Sequence, residues 1–198
     1  MTIRTSLALM AACFVAGLNT GCASTSHDPH QGSNDDHSAQ KEHVSQWTSI
    51  NSAVCVLHAT EGNSVTGHVR FKQRGKSVQV VAQVSGLTPN QKHGFHIHEL
   101  GDISAADGTS AGDHYDPDAA AHSLPPVNPR HAGDLGNLEA DAKGEANYKM
   151  TVNNISIAGL KNPIIGRAII VHAKPDDGGQ PTGNAGARIA QGVIGIAK

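Results

Sequence analysis

Two histidines separated by one residue, His96 and His98, form the most compact metal-ligand pattern in the chain. In an extended strand, side chains two apart point to the same face, so both imidazoles would project together while Phe95 and Ile97 pack on the other face. Imidazole is the commonest metal ligand in proteins. The pair therefore predicts half of a metal site, although two solvated strand histidines would give the same pattern.

A long polar segment, residues 101–137, supplies a second group of candidate ligands. It contains three histidines and an aspartate at intervals of eight, nine and three residues, namely His114, His122, His131 and Asp134. Three nitrogens and one carboxylate oxygen suit tetrahedral zinc. A further imidazole, His172, follows the apolar run 164–171. Because a loop of this length in a compact domain is usually functional or disordered, these residue types favour a metal-dependent function.

The elements that must position these residues are short and extended. Runs of Val, Ile and Thr alternate with Gly, Asn, Asp and Pro turns, and no segment has a sustained helical apolar period. The pattern predicts an all-β antiparallel sandwich or barrel. Six strands are predicted at residues 52–58, 67–73, 77–84, 94–100, 146–152 and 164–173.

Composition narrows the function classes. The chain has 198 residues and a formal net charge of -2, from 17 acidic and 15 basic side chains. A nucleic-acid-binding protein would need a basic surface to neutralise phosphates, so we exclude this class. With 22 glycines and only 3% aromatic residues, the chain is typical of a turn-rich β domain with an aliphatic core. One domain, residues 47–198, accounts for the folded part.

The N-terminal residues 1–21 have the features of a secretory signal peptide, with Arg4 before a short apolar stretch at residues 6–17 and a close at Gly21-Cys22. Cys22 follows at the position where a bacterial lipoprotein signal carries its lipidated cysteine. The alternative is ordinary cleavage after Ala23. In both cases we expect export to the periplasm or cell envelope, and a lipid on Cys22 would anchor the protein without spanning the membrane.

Residues 22–46 are polar and nearly free of apolar side chains, so we interpret them as a flexible tether. The tether contains four histidines, His27, His30, His37 and His43. A histidine-rich tract can bind metal weakly. Because no spacing here fixes a coordination geometry, metal collection and a plain solvated linker are equally consistent with the sequence.

Several motifs in order carry a resemblance to the copper/zinc superoxide dismutase family. They are GFHIHELGD at 94–102, TSAGDHYDP at 109–117, RHAGDLGN at 130–137, VHAKPDD at 171–177, GNAGAR at 183–188 and GVIGI at 192–196. The resemblance extends from about residue 53 to residue 198. It implies a Greek-key β-barrel of eight strands with two long functional loops, an architecture for which this family is itself a standard example.

The resemblance also implies an activity, the dismutation of superoxide to oxygen and hydrogen peroxide by one-electron copper cycling beside a histidine-bridged zinc. Carried over residue by residue, it makes His96, His98, His114 and His172 the copper ligands, and His114, His122, His131 and Asp134 the zinc ligands. His114 is then shared and takes up a proton during the reaction. Asp176 matches the aspartate that hydrogen-bonds a ligand of each metal, and Arg188 matches the arginine that attracts and orients superoxide.

The chain departs from the family at one covalent link and keeps its dimer contacts. The two positions of the intrasubunit disulfide are Gly108 and Gln191 here, so this disulfide is absent. The residues that match the apolar dimer contacts of eukaryotic-type members imply a homodimer; they are Val54, Val56, Gly101, Ile165, Gly166 and Ile196.

Two other functions compete with the enzyme. A non-catalytic copper- or zinc-binding lipoprotein on the same fold would account for the histidine-rich tether, whereas the complete ligand set and Arg188 favour catalysis. A copper-delivery module would need a thiol-rich motif, and the folded part contains only Cys55. We therefore predict a superoxide dismutase of the copper/zinc type that acts outside the cytoplasm.

Overall fold

The computed structural model describes residues 46–198. Eight strands are present in this part of the chain: β1 Ser52–Ala59, β2 Thr66–Arg74, β3 Ser77–Ser85, β4 Lys92–His98, β5 Asp134–Glu139, β6 Ala146–Val152, β7 Ala168–His172 and β8 Arg188–Ile196. A single turn of 3₁₀ helix, Thr109–Ala111, lies between β4 and β5. The predicted signal peptide, Cys22 and the tether histidines lie outside the described residues. No helix within residues 46–198 has the length and apolar character needed to cross a membrane.

The strands form one antiparallel sheet in the order β5-β4-β7-β8-β1-β2-β3-β6, which curls into a nearly closed barrel. The connections from β3 to β4 and from β6 to β7 cross the barrel, which gives the Greek-key arrangement. The two edge strands, β5 and β6, lie close to each other. The Tyr148 hydroxyl on β6 donates a 2.7 Å hydrogen bond to the Leu135 carbonyl on β5. The prediction of an all-β Greek-key barrel with eight strands is confirmed.

The barrel interior is aliphatic and follows the two-residue period of the strands. On β3, the buried side chains are Val78, Val80, Ala82 and Val84, and the residues between them are exposed or half-buried. Phe95 and Tyr148 form an edge-to-face pair, with ring centroids 5.2 Å apart. Burial of such side chains supplies most of the free energy that offsets the loss of chain entropy.

Two of the eight strands, β5 and β8, are absent from the pattern-based prediction. Glycines interrupt the apolar alternation in both, at Gly136 in β5 and at Gly192 and Gly195 in β8. Gly192 is required by the pairing itself, since a Cβ at this position would overlap the Val56 carbonyl of β1. The predicted strand 164–173 begins later, at Ala168, because Ile165 and Gly166 form a turn.

The outer face of β4 and β7 is where the long loops cover the barrel. Phe95 and Ile97 belong to the barrel core, whereas Ala168 and Ile170 of β7 pack with Ala111 of the loop in a separate small cluster. The side chains that alternate with Phe95 and Ile97 are His96 and His98. They therefore lie between the barrel wall and the loops.

Candidate metal centre

Three backbone hydrogen bonds join the segments that carry the candidate ligands. The Ile97 N–H donates to the Gly133 carbonyl, the Gly133 N–H to the Tyr115 carbonyl, and the Tyr115 N–H to the Ile97 carbonyl, each at 2.9 Å. Each of these residues is next in the chain to at least one candidate ligand. A Cβ at position 133 would overlap the Ile97 carbonyl, so this junction requires glycine.

Four buried histidines form the first ligand set, which consists of His96, His98, His114 and His172. Each offers one ring nitrogen, and these atoms all lie within 4.8 Å of one another. Within this set, the Nε2 atoms of His98 and His172 are 3.4 Å apart. An all-imidazole set of this kind suits copper.

Backbone carbonyls determine which nitrogens of the first set face inward. His98 donates from Nδ1 to the Gly112 carbonyl at 2.9 Å. His172 donates from Nδ1 to the Gly186 carbonyl at 3.1 Å. Since a neutral imidazole carries one N–H, both rings present the unprotonated Nε2 to the centre of the set, as a metal ligand must.

Three buried ring nitrogens of the described residues have no hydrogen-bond partner: His93 Nε2, His96 Nδ1 and His114 Nε2. The nitrogens of His96 and His114 belong to the first set. A buried polar atom without a partner costs free energy, so each such atom in a folded protein requires an explanation. A cation held by the four imidazoles would satisfy both atoms, and the residues present therefore fit copper.

The second ligand set surrounds one carboxylate oxygen. The Nδ1 atoms of His114, His122 and His131 lie 2.9, 3.0 and 3.2 Å from Asp134 Oδ1. The other oxygen, Asp134 Oδ2, accepts hydrogen bonds from the backbone N–H groups of Ser123 and His131, which hold the carboxylate in place. Three imidazole nitrogens and one carboxylate oxygen fit a tetrahedral zinc ion.

Asp176 connects the two sets. Its Oδ2 lies 2.8 Å from His96 Nε2, and its Oδ1 lies 3.0 Å from His122 Nε2. The Gly178 N–H also donates to Oδ1, at 2.9 Å. Because His96 is in the first set and His122 in the second, one buried carboxylate orients a ring in each. A Cβ at Gly183, where φ is +79°, would overlap Asp176 Oδ1, so the neighbouring loop must be glycine at that point.

Arg188, at the start of β8, lies beside the first set. Its Nη1 donates to the Gly108 carbonyl and its Nη2 to the Gly112 carbonyl, both at 2.6 Å. The Gly112 carbonyl also accepts from His98 Nδ1, so the guanidinium and a ring of the first set share one acceptor. The side chain is half-buried and keeps a fixed positive charge near these imidazoles.

The structure thus brings together all the site residues named from the sequence, and it adds two that sequence reasoning missed. His93 is fully buried and donates from Nδ1 to the His172 carbonyl at 2.8 Å. The Asp116 carboxylate lies 3.7 Å from His131 Nε2. The sequence offered one signal for Asp116, which is a carboxylate two residues after the candidate ligand His114. It offered no signal for His93, which is a single histidine on a strand.

Burial and hydrogen bonding shift the pKa values of the metal-free site in opposite directions. Burial is the main cause that lowers the pKa of His96 to about 4 and of His172 to about 3, and it holds the pKa of His98 well below its usual range. Burial would also lower the pKa of His122, but hydrogen bonds to Asp134 and Asp176 outweigh it and raise this pKa to about 9. Despite burial, hydrogen bonds to His114 and His122 hold the carboxyl pKa of Asp134 below its usual range, and bonds to His122 and His96 do the same for the pKa of Asp176.

Comparisons with known proteins agree with this geometry. Residues 65–194 match the family model for copper/zinc superoxide dismutase. The chain is 48% identical over 155 residues to the Cu-Zn superoxide dismutase of Paramecium bursaria Chlorella virus 1, an alignment that covers 74% of this chain and 79% of the relative. Among solved structures, the crystal structure of the clock protein EA4 matches with a TM-score of 0.67 and 38% identity, over 74% of this chain and 95% of that one.

The pKa shifts predict that the metal-free protein is most stable near pH 6.5. Below this pH the unfolded chain protonates three histidines that stay neutral in the fold, so the free energy of unfolding falls by up to about 1.4 kcal/mol per pH unit for each. Above it, the stabilisation from protonated His122 is lost as the pH rises through about 9. Urea unfolding of chelator-treated protein across pH 4.5–9 measures this. A profile that is flat or rises monotonically would contradict the assignment.

Proposed function

The chain belongs to the copper/zinc superoxide dismutase family, and we propose that its two buried ligand sets hold copper and zinc for this reaction. It is a superoxide dismutase of the copper/zinc type, and superoxide is its substrate. The observation that supports the residue assignment is the shared histidine: His114 contributes a different nitrogen to each of two groups whose ligand atoms lie within 4.8 Å.

The ligand types assign the two metals. Copper, when bound, supplies the one-electron redox couple that dismutation requires, and zinc has no redox chemistry. The four imidazoles of the first set, His96, His98, His114 and His172, would hold copper. The mixed set, His114, His122, His131 and Asp134, would hold zinc.

His114 is placed to carry a proton. Its Nδ1 faces Asp134 and the zinc set, while its Nε2 faces the copper set without a partner among the described residues. Dismutation consumes protons, since hydrogen peroxide is one of its products. An imidazole fixed at Nδ1 can take up a proton on Nε2 and release it there, on the side of the ring that faces the copper set.

Arg188 supplies the positive charge for an anionic substrate. The carbonyls of Gly108 and Gly112 fix its guanidinium, so little rearrangement is needed when an anion arrives. A cationic site raises the encounter rate of anions, an effect for which superoxide dismutases are themselves a standard example. Arg188 therefore attracts and orients superoxide.

Asp176 aligns the two metal-binding rings that it contacts. A carboxylate on the second nitrogen of a ligand histidine fixes the ring orientation and increases its basicity, and loss of such a partner commonly weakens metal binding by 10- to 100-fold. Because Asp176 contacts His96 and His122, we expect its effect to reach both metals.

Single substitutions should separate the two sets. With about one copper and one zinc expected per chain, His172→Ala should lose copper and all dismutation but keep zinc, because only the first set uses this ring. His131→Ala should lose zinc and keep copper, and His114→Ala should weaken both. Metal analysis and a dismutation assay with and without added copper measure this, with His68→Ala on β2 as the matched control. Normal metal content without restorable activity in the unaltered protein would favour the non-catalytic metal-binding protein.

Export and lipid anchoring are part of the proposal and rest on the sequence of residues 1–22. If Cys22 is acylated, the protein should enter the detergent phase in a phase-separation assay of the producing cells and incorporate labelled fatty acid. Cys22→Ser should remain in the aqueous phase. Export without labelling of the unaltered protein would favour ordinary cleavage after Ala23, and retention in the cytoplasm would contradict export itself.

An exposed apolar surface supports the homodimer. Val56 and Ile196 are 54% and 57% exposed, and Val193 on β8 is also exposed. Gly101 lies against Gly166 and Val193, where a Cβ would overlap the Gly166 carbonyl. Clusters of exposed apolar side chains can mark interfaces, and two-fold pairs are the commonest oligomers.

A charge within this surface should prevent pairing. Val56→Asp would place a carboxylate within this surface, and its desolvation on pairing is costly. Sedimentation velocity should give a dimer for the unaltered protein and a monomer for this variant. Leu160→Asp, at a side chain that is 92% exposed outside this surface, is the matched control and should stay dimeric. A monomeric unaltered protein would overturn the homodimer.

A further inference from the structure

The loop between β4 and His114 is connected to β8 without a disulfide. Within residues 46–198 the only cysteine is Cys55, which is buried in β1, where burial raises its pKa to about 12. The family's two disulfide positions, Gly108 and Gln191, therefore cannot be cross-linked. Another interaction has to hold this loop against the strand.

Gln191 makes that interaction with its side-chain amide. The side chain is only 7% exposed, and its Nε2 donates to the Ala105 carbonyl at 3.1 Å and to the Ile103 carbonyl at 3.4 Å. Both amide hydrogens are thus directed at the loop. The backbone of Gln191 pairs with Ile170 on β7 and His58 on β1, so the anchor starts from the middle of the sheet.

The amide also lies beside Gly108, the other of the two disulfide positions. Its Oε1 is buried without a hydrogen-bond partner among the described residues and lies 3.4 Å from where a Cβ on Gly108 would stand. A buried acceptor without a donor costs free energy. The orientation is kept because both hydrogens of Nε2 are used on the loop carbonyls.

The same stretch of loop holds Arg188. The Gly108 carbonyl accepts from Arg188 Nη1 at 2.6 Å, and the Gly108 N–H donates to the Ala105 carbonyl at 3.0 Å. Ala105 is therefore bonded both to Gln191 and to the residue that fixes the guanidinium. If the Gln191 bonds were lost, the Gly108 carbonyl could move away from Arg188.

We propose that Gln191 is a positioning residue that replaces the family's disulfide: its amide anchors residues 103–108 to β8 and keeps the Gly108 carbonyl where Arg188 binds it. The effect on substrate binding rests on the role of Arg188 in the proposed function. The anchor itself needs no oxidation step, so the order of this loop does not depend on the thiol redox state of its surroundings.

The test compares Gln191→Met with Gln83→Met in the copper- and zinc-loaded protein. Methionine keeps the length and volume of the side chain but cannot donate, and Gln83 is an exposed glutamine on β3 that donates to Asn147. Hydrogen exchange of residues 101–113 should become roughly three- to tenfold faster in Gln191→Met alone, while that of β5 stays unchanged. Azide, an anion that binds at the copper, should bind several-fold more weakly in the same variant. Exchange and azide affinity equal to the Gln83 control would overturn the proposal.

A double variant, Gly108→Cys with Gln191→Cys, tests the same anchor if the methionine variant does not fold. Its oxidised form should have the slow exchange of the unaltered protein, and its reduced form should have the fast exchange expected of Gln191→Met. Equal exchange in the oxidised and reduced forms would count against the anchor. Hydrogen exchange does not require dismutation, so a protein with the predicted exchange but no activity would retain the anchor and reject the enzyme function.

Discussion

The backbone junction of Ile97, Gly133 and Tyr115 is the contact on which the rest of the site depends. Its three hydrogen bonds form a closed cycle, so none of the three segments can shift without breaking two bonds. Backbone hydrogen bonds in a buried position are costly to leave unmade. The junction therefore defines the distances between the histidines of β4, the shared His114 and Asp134 before any metal is considered.

The metal centre is a buried polar cluster that the aliphatic barrel must support. Its histidines and carboxylates lose hydration on folding, and hydrogen bonds to backbone carbonyls and to the two aspartates replace only part of it. Two of the nitrogens that remain unsatisfied, His96 Nδ1 and His114 Nε2, belong to the copper set. Metal binding and folding are consequently linked, because the ions complete the bonds that the fold leaves open. Asp176 extends this linkage, since it orients one ring of each set.

The loops that cover β4 and β7 are held by side chains as well as by the junction. Arg188 and Gln191 both extend from β8 and donate to carbonyls of the loop that precedes His114. β8, a strand whose apolar alternation is interrupted by glycines, thus holds the loop beside the first ligand set. Gly192 contributes to this arrangement, because it allows β8 to pair closely with β1 beside Gln191, whose backbone pairs with His58.

Local sequence patterns indicated the all-β fold class and the candidate histidines with Asp134, because both depend on short-range features, whereas Asp176 and Arg188 came from the resemblance of their motifs to the family. The two-residue alternation of β3 and β4 predicts strands, and the spacing of His96 and His98 places both rings on one face. The motifs around them account for the Greek-key barrel, which no periodicity could specify.

Only the tertiary structure decided which ring nitrogen faces which set, how Asp176 and Asp116 contact the ligands, and where β5 and β8 lie. These features depend on partners far apart in the chain: His96 and Asp176 are separated by 80 positions, and Arg188 and Gly108 also by 80. A side chain's orientation depends on the acceptor that the fold places beside it. The composition and spacing of one segment therefore cannot predict that orientation.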